Sequence, residues 1–387
     1  MRVQNLPAFH RLSPSSLTLL QFLDGLAAVL RYAVRAAFIA ALVIGVVGCG
    51  SGNSGGSSGG NSSGSGGNTS STGTVSTSAA ENIYVVQIAS NGVGTILEFP
   101  ATASGSTSPT ATITPGLPLE QVNTDQDGNI YIVTYQDIRE YAAGATGTAT
   151  PTRTLSIPTG AIDGMAVSPA GEILIGEDGG DIDEWSATQV GNVAPERTIP
   201  GYSQIANSLS PVIVANQVAI DGSDNLYVAP EGAPPIPPAV VIYGPTANGN
   251  VAPTRTVGGT GIVYGVTVDS AGNVYTAGEV SCTFTTGPTF SETCTGINSE
   301  YAASATANTP PIRTISGSAT QLASLSGIKV DAAGNIYVVS IANPLATPES
   351  PAVLKFSATA SGNVAPTSSF TSTAWTTPDF NPSLALH

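Results

Sequence analysis

One phrase returns six times along the chain: Asn82-Ile-Tyr-Val-Val, Asn129-Ile-Tyr-Ile-Val, Glu172-Ile-Leu-Ile-Gly, Asn225-Leu-Tyr-Val-Ala, Asn273-Val-Tyr-Thr-Ala and Asn335-Ile-Tyr-Val-Val. The intervals are 47, 43, 53, 48 and 62 residues. An internal repeat of this length constrains the fold more than any single motif, because each unit must bury its apolar face against the next copy. Each phrase after the first follows a short β-patterned run and a turn, as in Val266-Thr-Val-Asp-Ser-Ala-Gly-Asn273. The Asp can accept hydrogen bonds from the turn's own amides and the Gly can take a positive φ. Each unit therefore opens with a hairpin.

A second phrase predicts a second hairpin. An aromatic is followed ten residues later by Pro in every unit: Phe99/Pro109, Tyr141/Pro151, Trp185/Pro195, Tyr243/Pro253, Tyr301/Pro311 and Phe356/Pro366. Gly, Asn, Ser and Ala fill the gap, and Thr-rich segments follow the Pro. A Pro close to a strand start is tolerated at a sheet edge, where no ladder bond is lost. Four strands per unit of this size is the signature of a β-propeller, and the unit resembles the NHL repeat over residues 81–387. Residues 81–115 hold only three strands' worth of pattern, and the missing strand is found at the far end. Asn381-Pro-Ser-Leu-Ala-Leu-His387 aligns with Asn216-Gln-Val-Ala-Ile-Asp221. The expectation is an all-β, six-bladed propeller of four-stranded antiparallel blades, closed by the C-terminal strand joining the first blade.

Composition excludes several alternatives. Only 10% of the 387 residues are charged, and 11 Lys+Arg stand against 26 Asp+Glu. Nucleic acid is not an expected partner, since phosphate binding needs clustered cations. With 44 Gly and 28 Pro, a helical bundle is excluded as well. Two His and three Cys leave little from which to build a zinc or thiol enzyme.

The first 48 residues read as an export signal. Arg2, Arg11, Arg31 and Arg35 precede an apolar run over residues 36–48, which ends at Cys49. The run is too short to span a bilayer, which takes about 20 apolar residues. Its tail, Val46-Val47-Gly48-Cys49, resembles the lipobox of bacterial lipoproteins. That resemblance implies a Cys49 thiol carrying an acyl group such as palmitate and serving as the new N-terminus, with Gly50 favouring the outer membrane. Loss of four Arg and one Asp with residues 1–48 leaves 7 basic and 25 acidic residues, a net charge of −18. Residues 49–80 are then the lipidated Cys and a tether of Ser, Gly, Asn and Thr that cannot bury enough apolar surface to fold.

The chemistry in the repeats is sparse. Cys282 and Cys294 lie in an insertion of the fifth unit and, in an exported chain, are expected to form a disulfide. Arg153, Arg197, Arg255 and Arg313 share one repeat position, two after the Pro. They form either a ring of anion sites or ion pairs with acids on the neighbouring strand, and Glu140, Glu184 and Glu300 are placed for the latter. The acids Asp125, Asp221, Asp269 and Asp331 read as turn caps. Propeller ligands are expected over the central channel, and five residues before the turn acid stand Glu120, Asp163, Asn216, Tyr264, Ser326 and Pro382. Glu120, Asp163 and Asn216 offer oxygen ligands that suit Ca²⁺. Here the chain resembles the gluconolactonase-like six-bladed propellers, a resemblance that implies a channel-mouth metal; no catalytic residue stands out beside it. The acid that often follows the second strand of an NHL repeat is retained only as Glu177. The reading is a monomeric, lipid-anchored binding or scaffolding protein for a protein or glycan, with a lactonase-like hydrolase or lyase as the alternative.

Overall fold

In the computed structural model, the structure describes residues 82–387 apart from 90–92, 135, 158–161, 178–180, 201–213, 232–239, 259–261, 286–290, 342–350 and 376–382. The expectations for residues 1–48, Cys49 and the tether lie outside the described residues, as does Pro382. The described chain forms six sheets, each with a core of four antiparallel strands, and has no helix. Blade 2 is representative: from the axis outward it runs Gln121–Thr124, Ile130–Val133, Asp137–Tyr141 and Arg153–Ser156.

The repeat phrases map onto this plan. The second strand carries the Ile-Tyr-Val phrase and is buried along its length in blade 2, as expected for a strand covered on both faces. The aromatics Phe99, Tyr141, Trp185, Tyr243, Tyr301 and Phe356 close the third strands and are 4% exposed or less. The outermost strands begin two residues after the repeat Pro, at Ala111, Arg153, Arg197, Arg255, Arg313 and Ser368. Each Pro thus precedes its ladder and costs it no donor. The apolar clusters sit between neighbouring blades: Tyr227 and Val240 of blade 4, for example, pack with Val266, Val274 and Tyr301 of blade 5.

Blade 1 takes its innermost strand from the C-terminus. Leu384–Leu386 pairs antiparallel with Asn82–Ile88, with Ile83 opposite Leu386 and Val85 opposite Leu384. The pairing is extended by bonds from Val86 N to Ser383 O (3.2 Å), from His387 N to Asn82 O (2.9 Å), and between Asn82 N and His387 O. Ser383 and Leu386 also bond to Val122 and Thr124 of blade 2.

The outer rim is clamped in a way the sequence reading did not foresee. Short stretches of one blade pair in parallel with the outermost strand of the blade before it: Gly191–Asn192 on Leu155 and Ser156, and Gly105–Ser106 on Phe370 and Thr371. Isolated bridges Ile113–Gly147 and Ile315–Gly362 repeat the device. Edges that would otherwise template aggregation are thereby occupied. Where blade 6 meets blade 1 there is no repeat Arg. Ser368 Oγ donates to Ala103 O at 2.7 Å instead, and Phe99, Phe370 and Trp375 cluster with centroids 4.9–6.0 Å apart.

Candidate functional site

The repeat Arg ring resolves into structure. Arg153, Arg197 and Arg313 pair with Glu140, Glu184 and Glu300 across the hairpin, as the ion-pair reading expected. Each also reaches carbonyl oxygens of the next blade: Arg153 those of Ser186 and Ala187, Arg197 those of Gly244 and Pro245, Arg313 those of Ala358 and Ala360. Arg255 has Ile242 opposite it and, among the described residues, bonds to Ala303 O and Ala305 O. The guanidinium fork suits this bridging role because its several donors point in fixed directions. Burial pushes the Glu184 carboxyl up even with Arg197 against it, so this pair is costly to form and costlier to break.

The turn acids are consumed locally as well. Asp125 Oδ1 accepts from Asp127 N (3.0 Å) and Asn129 N (2.9 Å), while Oδ2 accepts from Asn129 Nδ2 (2.8 Å) and Tyr131 OH (2.9 Å). Asp221 and Asp269 repeat all four bonds, and Asp331 repeats those from its Asn and Tyr. Burial raises the Asp221 carboxyl, and the bonds from Asn225, Ser223 and Tyr227 more than reverse this, leaving it below its usual value. In three of these turns a Gly (Gly128, Gly272 and Gly334) supplies the φ near +80°, and in blade 4 Asp224 takes its place at +58°. The tyrosyl contribution was missed from sequence, although a signal existed: blade 3 lacks the acid, having Ser168, and has Leu174 in place of the Tyr.

At the start of the innermost strands the ladder breaks in four blades. Asp163 falls between the paired residues Ile162 and Gly164, Tyr264 between Val263 and Gly265, and Ser326 between Leu325 and Gly327. In blade 4 the break lies between Val214 and Gln217 and contains Asn216. Glu120 stands just before the strand of blade 2 and donates its N–H to Val133 O at 3.0 Å. Four positions of the channel-mouth column read from sequence are therefore bulged. A bulge re-aims one side chain and ends regular pairing, and such breaks gather at the rims of closed sheets. Glycine follows the bulge in three of these blades, and at Gly265 a Cβ would lie 3.1 Å from the Ile328 methyl of blade 6. That close approach lets the inner strands of blades 5 and 6 pack against each other.

Below this rim the channel narrows to a cavity of about 20 Å³, lined in part by Gln121, Gln217, Ser326, Ser383, Asn123 and Lys329. Among the described residues of the predicted column Ser326 lines it, and in blades 1, 2 and 4 the next residue along, Ser383, Gln121 and Gln217, does so. A space of this size holds about one water and no larger ligand. The neck is barred by side chains crossing it: Lys329 Nζ donates to Asn123 Oδ1 (2.7 Å), Asn123 Nδ2 to Met165 O (2.8 Å), and Met165 N to Gln121 Oε1 (2.7 Å). Neither Lys329 nor Asn123 was singled out from the sequence.

For a cation, the described residues contain no group of three His, Cys, Asp or Glu arranged to hold one. The side chains of Asp163 and Asn216, which the Ca²⁺ expectation needs beside Glu120, lie outside the described residues. So do those of Cys282 and Cys294; their backbones belong to the strands Val274–Thr285 and Ser291–Tyr301 of blade 5. There Val280 pairs with Thr295 and Thr283 with Thr293, which sets Cys294 opposite the bulge that contains Cys282. Glu177, the retained acid, ends the second strand of blade 3 opposite Ile162. Burial, followed by Asp183 and Asp181, pushes its carboxyl up to about 7.

No known family matches the chain, and no curated protein matches it. Solved structures do. A protein of unknown function from Bacteroides caccae matches with a TM-score of 0.50 at 10% identity, over 80% of this chain and 99% of its own. The Dos1 propeller matches with a TM-score of 0.44 at 7% identity, over 74% and 68%. At such identity the first likeness shows the propeller fold alone.

Proposed function

We propose that the chain is a lipid-anchored, extracytoplasmic binding protein, in which an NHL-like propeller presents its bulge-lined mouth to a protein or glycan. One observation carries the binding half. Five unlike residues, Glu120, Asp163, Asn216, Tyr264 and Ser326, share one repeat position, in the ladder break of blades 3 to 6 and just before the inner strand of blade 2, whereas the repeated acids and Arg are spent inside the fold. A rim that varies on a scaffold that repeats is the pattern of a recognition surface. The lipobox-like tail ending at Cys49 supports the anchor, the Ser/Gly segment after it supports a tether, and an acidic body does not adhere to anionic headgroups by itself. The pairing of Thr283 with Thr293 supports a Cys282–Cys294 disulfide that pins the long blade 5 hairpin.

A cell expressing Cys49→Ser tests the anchor. The variant is expected in the soluble fraction and the parent in the outer membrane; equal membrane retention overturns the anchor. The second reading, a lactonase-like hydrolase with Ca²⁺ on Glu120, Asp163 and Asn216, is favoured by the positions of these three residues at one rim of consecutive blades.

A further inference from the structure

The opposite end of the channel holds a different arrangement. Beyond the neck, on the side of the inner hairpin turns, the axis opens into a cavity of about 310 Å³ to which all six blades contribute. This lies at the lower end of the range used by small-molecule sites. Two repeat positions line it, the second in every blade but the first, where Ala385 lies in the core. One residue before the turn position stand Thr124, Val167, Ile220, Val268, Val330 and Leu386, an apolar collar with a single hydroxyl. Two residues before it stand Asn123, Ala166, Ala219, Thr267, Lys329 and Ala385. In this second ring small side chains leave room for one long one. Lys329 crosses that space to Asn123, and its ammonium lies where cavity and neck meet.

The ammonium is short of partners. It has three N–H donors, and the described residues show one of them used, on the neutral Asn123 Oδ1. Asp125 is the other charged residue lining this cavity, and its two oxygens already take four bonds from its own turn. Burial pushes the Lys329 ammonium down to about 8, and among the described residues no carboxylate counters that shift. In a chain of net charge −15 with only two lysines, a cation with no acid paired to it among the described residues, set at the floor of an apolar collar, lacks the structural explanation the Arg ring has.

We propose that this turn-side cavity binds a small amphiphilic carboxylate, its oxygens on the Lys329 ammonium and its apolar body within the collar of Val167, Ile220, Val268, Val330 and Leu386. The carboxylate supplies the negative charge the fold omits and accepts the free N–H donors, and the collar removes the ligand's hydrocarbon from water. The inference rests on reading the propeller as a binding module and names a ligand class and a second mouth for it.

The test uses the full chain labelled with ¹³C and ¹⁵N on lysine, where Lys329 and Lys355 give separate side-chain signals, and hexanoate as the probe. Hexanoate is expected to shift the Lys329 signal saturably and raise its titration midpoint, with Lys355 unmoved. Apparent affinity should fall about tenfold or more between pH 7 and pH 9.5, as the free ammonium loses its proton. Lys329→Met, with an unchanged circular dichroism spectrum, should abolish saturable binding in calorimetry. A Lys329 signal indifferent to tens of millimolar hexanoate overturns the site, and an equal response to inorganic phosphate overturns the amphiphile. Ester turnover by the same protein would overturn the binding-module reading while leaving the Lys329 response in place, so the two failures are distinguishable.

Discussion

Deleting Asn381–His387 removes one strand that belongs, by chain order, to the wrong end of the protein. The strand supplies three paired positions to blade 1, with Leu384 and Ala385 at 2% and 1% exposure. Losing the burial of Leu384 costs about 2–3 kcal/mol, and Ala385 with the half-buried Leu386 adds roughly 1–2 kcal/mol. Backbone bonds at Asn82, Val86 and His387, with those of Ser383 and Leu386 to blade 2, contribute about 1 kcal/mol each where water replaces them. The total, about 8–10 kcal/mol, is comparable with the whole stability of an ordinary domain. It corresponds to a fall in Tm of at least about 10 °C for a chain of this size. Differential scanning calorimetry of the parent, the truncation and Leu384→Ala measures this directly, the point variant losing about 2–4 kcal/mol. A synthetic peptide of residues 381–387 should restore part of the loss, because it offers the same edge its missing partner. A truncation melting within a degree or two of the parent would refute closure by the C-terminal strand.

Two further perturbations follow from buried charge. A Glu177 carboxyl held at about 7 against an ordinary 4.5 binds its proton more tightly folded than unfolded, so stability falls as pH rises through that window. Glu177→Gln should match the parent below pH 4.5 and exceed it above pH 7, by roughly 1–2 kcal/mol after allowance for solvent screening at this half-buried site; denaturant melts at pH 4 and pH 8 check both. Arg313→Met leaves Glu300 buried without its cation and frees two carbonyls of blade 6, a loss of about 3 kcal/mol. Most of it should return in Arg313→Met/Glu300→Leu, as read by chemical denaturation.

What was legible in the sequence is what repeats. Period, turn chemistry and the aromatic-to-Pro spacing recur often enough to fix blade number, strand order and ring closure, and Glu140, Glu184 and Glu300 before their aromatics foretell three of the Arg pairs. The outer clamps were illegible because they join backbone of one blade to backbone or guanidinium of the next, and Gly147, Gly191 and Gly362 carry no side-chain message. The bulges lay half hidden: aligning the units found their column, but a bulge is an extra residue within a strand, and only the following Gly164, Gly265 and Gly327 betrayed the break. Lys329 is harder to read because it stands toward the turn end of its inner strand, away from the mouth where these strands begin. Alignment two residues before the turn acid sets it against Asn123, Ala166, Ala219, Thr267 and Ala385, where its length and charge stand out.

The functional claim, that the mouth recognises rather than reacts, is tested most directly by turnover. Purified full-length protein, incubated with lactone and ester substrates in the absence and presence of Ca²⁺ or Zn²⁺, is expected to give rates equal to those of buffer. An enzyme of the alternative kind needs a positioned acid, base or metal, and Asp163 is the rim residue such a site would depend on. Turnover that Asp163→Ala abolishes, with the circular dichroism spectrum unchanged, would contradict the account and make this propeller a hydrolase.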